Sequence, residues 1–324
     1  MTKKAVKVMI GVDSCIPSLQ DWRQAFPGVV FAVGNTPDAQ REHIRDADVC
    51  IGAITRDAFL TARQVKWVAS PWAGIDFAMA IPELVNSDVI ITHTPDVHAP
   101  SMADHVFAMI LSFAHCLPQV LDDQKNHIFD TQKYHNRILE LAGSTIGILG
   151  FGAVGRAVAR RAHGFDMKVY AIARTPPTHS NQAEAIWPPD SLDDLLKISD
   201  WFVISSPLTD ETRGLIDKRR IALLKPSAHL IVISRGAIID EVALADALHN
   251  GQLAGAATDA LTIEPPDPQN PSPLWNLDNC LISPHSSSPT AKMFAARRKF
   301  CKENLHRYLN GELLMGIRDQ TLGY

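Results

Sequence analysis

The sequence predicts an α/β protein made of two doubly wound parallel-sheet domains, and three observations carry that expectation. Short β-rich runs alternate with helical ones along most of the chain. A glycine turn of the form G-x-G-x-x-G, Gly150-Phe151-Gly152-Ala153-Val154-Gly155, lies between the apolar run Ile146–Leu149 and an amphipathic helix. The 324 residues suffice for two domains of ordinary size.

In chain order, the first βα series places strands at Val6–Val12, Val29–Val33, Val49–Ile54, Lys66–Ala69 and Val89–Thr94. The opening apolar run VKVMIGV is too short for a signal peptide and no small-residue cleavage site follows, so it reads as the first strand. One long helix is expected from about Pro100 to Gln124, with apolar positions at Met102, Val106, Met109, Ile110 and Phe113, followed by a polar stretch from Asp122 to Arg137. The second series has six expected strands: Thr145–Leu149, Lys168–Ala173, Trp201–Ser205, His229–Ile233, Gly255–Asp259 and Asn279–Ser283. A helix over about Thr290–Leu309 would return the chain to the first domain. The expected division is 1–99 plus 290–324 for one domain and 100–289 for a dinucleotide-binding domain, the two joined by two helices.

Each glycine of the turn has a separate expected job. Gly150 permits the sharp exit from the strand, Gly152 leaves room for a pyrophosphate, and Gly155 lets the helix pack close to the strand. The phosphates would sit on the free N–H groups at the helix start, where the dipole is positive. The acidic residue that accepts ribose hydroxyls in NAD sites is expected near Ala173, but Ala173, Arg174 and Thr175 stand there. A carboxylate would repel a 2′-phosphate, whereas a guanidinium can pair with one. NADP(H) is therefore preferred, with NAD(H) as the alternative.

Composition excludes other classes. The net charge is −4, so there is no electrostatic case for nucleic acid or an anionic membrane. No apolar stretch is long and charge-free enough to span a bilayer. The cysteines, Cys15, Cys50, Cys116, Cys280 and Cys301, are scattered and odd in number, which points to reduced thiols in the cytoplasm. No metal-ligand spacing is present, so no metal is expected.

Three later segments each put a polar residue just beyond an expected strand. HLIVISRG places Arg235 there, GAATDALTIEPP places Asp259 and then Glu264, and NCLISPHSSSPT places His285. Ligands of open α/β sheets bind beyond the carboxyl ends of the strands, so these residues share a side with the glycine turn.

The segments SPWAGID from Ser70, SMADHVFAMIL from Ser101, GILGFGAVG from Gly147, SSPLTDETRGLID from Ser205, ISRGAIIDEVAL from Ile233, GAATDALTIEP from Gly255 and SPHSSSPT from Ser283 together resemble the D-2-hydroxyacid dehydrogenases, the family that includes glyoxylate/hydroxypyruvate reductases and phosphoglycerate dehydrogenases. The resemblance covers essentially the whole chain. It implies a flavodoxin-like substrate domain and a Rossmann cofactor domain. It also implies that Arg235 orients the substrate, Glu264 is the acidic partner, and His285 is the general acid/base. The loop Trp72-Ala73-Gly74 would offer backbone N–H groups to the substrate carboxylate. Implied cofactor contacts are Ala153 and Val154 at the phosphates, Pro207 and Thr212 near the adenosine side, Ile233, Asp259 and Met102 near the nicotinamide or its ribose, and Ser206 as a further cofactor contact. The implied partner is a small 2-keto or 2-hydroxy acid, and the implied assembly is a homodimer. The sequence departs from the family pattern at Asp104, where Glu is usual, at Ala173-Arg174, and at Tyr134, near where many members carry Trp.

Together these residues imply reduction of a 2-keto acid, with hydride to carbon and a proton from His285 to oxygen. A carboxylate in contact with the imidazole would favour its charged form by about 4 kcal/mol at an effective dielectric near 20, before desolvation. Two rivals stay open: a cofactor-sensing, non-enzymatic protein like the corepressors of this fold, and a formate or phosphite dehydrogenase of the same fold.

Overall fold

The computed structural model describes residues 5–12, 14, 16, 18–176 and 181–319; Cys15 lies outside them. The chain forms two compact units, Met1–His98 with Pro289–Tyr324, and Ala99–Ser288.

The first unit contains β1 (Val6–Ile10), β2 (Val29–Val33), β3 (Val49–Ile51), β4 (Trp67–Ala69) and β5 (Ile90–Thr92). They form a five-stranded sheet in the order β2-β1-β3-β4-β5, every pair parallel. That is the flavodoxin-like order. The strands read as nearly unbroken apolar runs because both faces are covered. Val8, Ile10, Val49, Ile51 and Trp67 pack on one face with Trp22, Cys301 and Leu305, whereas Met9, Cys50 and Val68 pack on the other with Ile44, Ala58 and Leu84. The strand period of two thus separates neighbouring residues into two cores. The helix Ala291–Asn310, capped by the Thr290 hydroxyl on the Met293 N–H, covers the first face.

The second unit holds β6 (Thr145–Leu149), β7 (Lys168–Ile172), β8 (Ala185–Trp187), β9 (Trp201–Ile204), β10 (His229–Val232), β11 (Gly255–Thr258) and β12 (Cys280–Ile282). The order is β12-β11-β10-β9-β6-β7-β8, again parallel throughout. Chain order reverses between β6 and β9, which makes the carboxyl end of β6 a topological switch point. The glycine turn leaves β6 at that place. Phe202, Ile204, Leu230 and Val232 face one core, and Trp201, Val203, Ile231 and Ile233 face the other.

Two expectations need correction. The second series has seven strands, not six: β8 is a three-residue edge strand beside β7 whose residues are all half-buried, too short and too weakly patterned to stand out. The long helix is two helices, Ala99–Ala114 and Leu117–Lys125, bent by 66°. Cys116 takes a left-handed conformation, φ 51°, at the break. Pro118 explains it, since its ring would clash with the Ala114 carbonyl and it has no N–H to give. Most other strands end a residue or two inside the expected limits. Among the described residues no single helix is long and apolar enough to cross a membrane.

Candidate functional site

The phosphate loop is built as the glycine spacing demands. Gly150 has φ 95°, and a Cβ there would come within 2.6 Å of the Ser206 backbone nitrogen. A Cβ on Gly155 would lie 2.2 Å from the Gly150 carbonyl oxygen, so only glycine allows this helix to sit so close to β6. A Cβ on Gly152 would meet nothing within 4 Å. The helix Ala153–Gly164 starts there with no side-chain cap, leaving the first-turn N–H groups, including those of Ala153 and Val154, without intrahelical partners. Beside the turn, the Ser206 hydroxyl is buried and has no hydrogen-bond partner among the described residues. Open space at Gly152, uncapped N–H groups and an orphaned hydroxyl together fit a dinucleotide phosphate group.

Of the other expected cofactor residues, Thr212, Ile233, Arg174 and Thr175 come in chain segments that follow strands. Thr212 closes its loop, its hydroxyl donating to the Pro207 carbonyl at 2.8 Å. Ile233 directly follows β10, buried, its N–H donating to the Ile204 carbonyl. Met102 is half-buried on the helix Ala99–Ala114, packed against the apolar core. Arg174 and Thr175 follow β7, both exposed, and Arg174 Nη2 stands 3.4 Å from Glu211 Oε2.

The catalytic candidates converge on the strand ends. His285 Nδ1 lies 2.7 Å from Glu264 Oε2, while the other carboxylate oxygen of Glu264 accepts the Leu261 N–H at 2.8 Å. This fixes the tautomer: Nδ1–H donates to the carboxylate and Nε2 is left for chemistry. His285 has φ 51°, a left-handed backbone on a non-glycine residue. The imidazole is 47% exposed, so solvent screens the pair yet a ligand can reach it. Arg235 follows β10 with Nη1 donating to its neighbour's carbonyl, Ser234, at 2.8 Å. Next to it, a Cβ on Gly236 would come within 2.3 Å of the Leu261 backbone. The close approach at Gly236 brings the Arg235 turn against the segment that carries Glu264.

Asp259 is only 1% exposed. Its Oδ1 accepts the Ser283 hydroxyl at 2.5 Å and the Ser286 N–H at 2.8 Å, and its Oδ2 accepts the Ser287 N–H at 3.0 Å. It therefore holds both shoulders of the loop that presents His285. Each charge-assisted bond of this kind is worth roughly 1.5–3 kcal/mol.

In the first unit, the loop Trp72-Ala73-Gly74 follows β4. The Ser70 hydroxyl donates to the Gly74 carbonyl at 2.9 Å and His93 Nδ1 lies 3.0 Å from the Ala73 carbonyl. The Arg297 guanidinium lies over the Trp72 ring, 3.1 Å from its centroid, and His98 stacks on the same ring at 6.2 Å. Burial, with the Arg297 charge and His93 adding to it, pushes the His98 imidazole down to about 4. Neither His98 nor Arg297 carries a local motif, so sequence reasoning missed both; they become visible only when distant segments pack around Trp72. Asp104, where the family usually has Glu, is an exposed carboxylate paired with Arg161. Tyr134 donates its hydroxyl to Asp123 at 2.6 Å. Among the described residues no group of three or more His, Cys, Asp or Glu could hold a metal ion.

Comparison with known proteins agrees with this architecture. Residues 107–287 match the family model for the D-isomer specific 2-hydroxyacid dehydrogenase NAD binding domain. A glyoxylate reductase of Pyrococcus furiosus is 33% identical over 287 residues, covering 84% of this chain and 82% of that protein. A D-3-phosphoglycerate dehydrogenase of Methanocaldococcus jannaschii is 30% identical over 293 residues; the match covers 89% of this chain but spans about half, 55%, of that longer relative. Among solved structures, a D-isomer specific 2-hydroxyacid dehydrogenase from Xanthobacter autotrophicus in complex with NADPH and MES superposes with a TM-score of 0.80 at 27% identity, covering 99% of this chain and 100% of that one. The fold and site define a nicotinamide-dependent oxidoreductase class. The chain belongs to the D-isomer specific 2-hydroxyacid dehydrogenase family.

Proposed function

We propose that this protein reduces a 2-keto acid, such as glyoxylate, hydroxypyruvate or a related 2-oxo acid, to the D-2-hydroxy acid, with NADP(H) preferred over NAD(H). The observation that carries the reading is the His285–Glu264 pair, set at strand ends on the same edge of the sheet as the phosphate loop.

When bound, the reduced nicotinamide supplies a hydride to C2 of the keto acid and is oxidised. As the C2–O double bond gives up its π electrons, negative charge grows on oxygen. His285 Nε2–H hydrogen-bonds that oxygen and donates its proton, giving the hydroxyl group and a neutral imidazole. Glu264 holds Nδ1–H throughout and favours the imidazolium that donates. Arg235 pairs with the substrate carboxylate and polarises the carbonyl. The family resemblance gives the Trp72-Ala73-Gly74 loop a role in binding a substrate carboxylate. Gly152, Ala153, Val154 and Ser206 hold the phosphates, and Arg174 with Thr175 takes the 2′-phosphate. In the reverse direction neutral His285 accepts the hydroxyl proton.

The absence of an acid at Ala173 and the Arg174 guanidinium support the NADP(H) preference. The family resemblance supports a homodimer, which sedimentation at micromolar concentration tests, and the scattered cysteines support a cytoplasmic location. The deciding experiment is a panel of 2-keto acids followed by NADPH absorbance, with NADH and a formate oxidation assay alongside. Turnover of at least one keto acid, faster with NADPH, is expected. Tight cofactor binding without turnover of any keto acid would favour a cofactor sensor, and formate oxidation would favour that rival chemistry.

A further inference from the structure

We propose that His105, acting through the Ser283 hydroxyl on Asp259, is a positioning residue for the His285 imidazole. The inference rests on the proposed role of His285 but concerns residues outside it. His105 Nε2 lies 2.9 Å from Ser283 Oγ and 3.7 Å from Asp259 Oδ1. Ser283 Oγ is 2.5 Å from Asp259 Oδ1.

Hydrogen-bond accounting gives the chain a direction. An ionised carboxylate only accepts, so the Ser283 hydroxyl spends its single proton on Asp259. The remaining lone pairs of that oxygen then accept from His105, which must carry its proton on Nε2. The line His105 Nε2–H to Ser283 O–H to Asp259 thus ends on the carboxylate that also receives the Ser286 and Ser287 N–H groups. Residues 283, 286 and 287 bracket His285, whose left-handed backbone needs support from its surroundings. The Ser101 hydroxyl, donating to the Ser287 carbonyl at 2.8 Å, ties the same helix to the same loop one turn earlier. The helix Ala99–Ala114 therefore grips the catalytic loop at two points, and the one at His105 reaches Asp259 by way of the Ser283 hydroxyl.

The consequence is geometric. If the 283–287 loop relaxes, Nδ1 moves off Glu264 and the imidazolium loses its closest counter-charge. The titratable groups that face this loop are Glu264 in the segment after β11, Asp259 at the end of β11, and His105 on the helix.

The test uses the full chain and four variants: Ser283→Ala, Ser283→Thr, His105→Leu and His105→Gln. Glutamine keeps an N–H donor where His105 Nε2 stands, and threonine keeps the hydroxyl. Expected for Ser283→Ala and His105→Leu is a drop in kcat of tenfold or more, NADPH affinity within twofold of wild type, and a weakened downfield proton NMR signal from the His285 Nδ1–H that bonds Glu264. The Ser286 and Ser287 amides should also exchange faster. Ser283→Thr and His105→Gln should restore kcat to within threefold. Wild-type kcat and an unchanged Nδ1–H signal in His105→Leu would overturn the proposal, as would a His105→Gln no better than His105→Leu. If Ser283→Ala does not fold, the His105 pair decides alone. The NMR signal needs no turnover, so it still decides the matter if the wild type reduces no keto acid, an outcome that would remove the functional reading instead.

Discussion

His285 Nδ1 and Glu264 Oε2 are 2.7 Å apart although the residues are 21 positions apart in the chain. The second oxygen of Glu264 is held by the Leu261 N–H, so the carboxylate is aimed before any ligand arrives. Replacing Glu264 with Gln keeps a hydrogen-bond acceptor for Nδ1–H but removes the charge. The imidazolium that donates then loses its counter-charge, so kcat for keto-acid reduction should fall by about tenfold while NADPH affinity stays within about twofold. Steady-state kcat beside a fluorescence titration with NADPH checks this; an unchanged kcat would separate Glu264 from the acid.

The three glycines of the phosphate loop should respond differently to a side chain. Gly155→Val puts a Cβ against the Gly150 carbonyl, 2.2 Å away, and must push the helix off β6. A loss of stability of several degrees in Tm or more, or failure to fold, is expected. At Gly152 an added Cβ meets nothing within 4 Å, so Tm of Gly152→Val should stay within about two degrees. Its branched side chain fills the space assigned to the pyrophosphate, and NADPH affinity should fall by tenfold or more. Calorimetric melting beside fluorescence titration with NADPH separates the two effects.

Those glycines also show what was legible in the sequence. The turn at 150–155 announces its own backbone because only glycine tolerates φ 95° and the close contacts found there. Strands buried on both faces announce themselves as apolar runs, which is why β6 ends where expected; edge strand β2 ends where expected too, its run apolar although Val30 and Val33 are exposed. Half-buried β8 has no such run, and the break at Cys116 hides inside apolar residues that suit one helix as well as two. In the candidate site, Arg235 and His285 stood out by following strands. His105 did not, because its partner Ser283 lies 178 positions away and no local pattern encodes that meeting. Asp259 was expected near the nicotinamide; its burial beneath the His285 loop is a property of packing, which the sequence does not display.

Arg174 and Glu211 form an exposed pair at 3.4 Å, with Glu211 on the family-like segment TDETR. A 2′-phosphate reaching Arg174 must displace this carboxylate and sit near its charge. Glu211→Gln should therefore raise kcat/KM for NADPH by roughly threefold to fivefold, the range that up to about 1 kcal/mol in an exposed ion pair allows. NADH kinetics should hardly change. Arg174→Ala should lower NADPH kcat/KM by about tenfold or more and leave NADH within about twofold. Paired assays with both reduced cofactors at fixed ionic strength provide the check. A parallel change for both cofactors would place Arg174 away from the 2′-phosphate.

His229 gives the second unit a built-in sensitivity to acid. Its ring is stacked on Trp201 at 4.6 Å and faces Phe113 at 4.9 Å, with Nδ1 unpartnered among the described residues. Burial pushes the imidazole down to about 4 from an ordinary 6.5, against a hydrogen bond with the Ser227 backbone that acts the other way. The folded state therefore holds His229 neutral across a range in which the unfolded chain binds a proton. Stability is unaffected above the ordinary value and falls as pH drops through it toward the folded value, because the unfolded state takes up the extra proton. Between pH 7.5 and pH 5 this linkage costs about 2 kcal/mol for the one residue. His229→Leu fills the aromatic slot without a titrating group, so its unfolding free energy should lose about that much less over the same interval. Urea unfolding at the two pH values, followed by circular dichroism, measures the difference. His98, also depressed to about 4, lies in the other unit and is untouched by the substitution, so the double difference isolates the His229 contribution. An identical pH dependence in wild type and variant would mean that His229 binds its proton as readily in the folded protein as in the unfolded chain, and that burial does not hold it neutral.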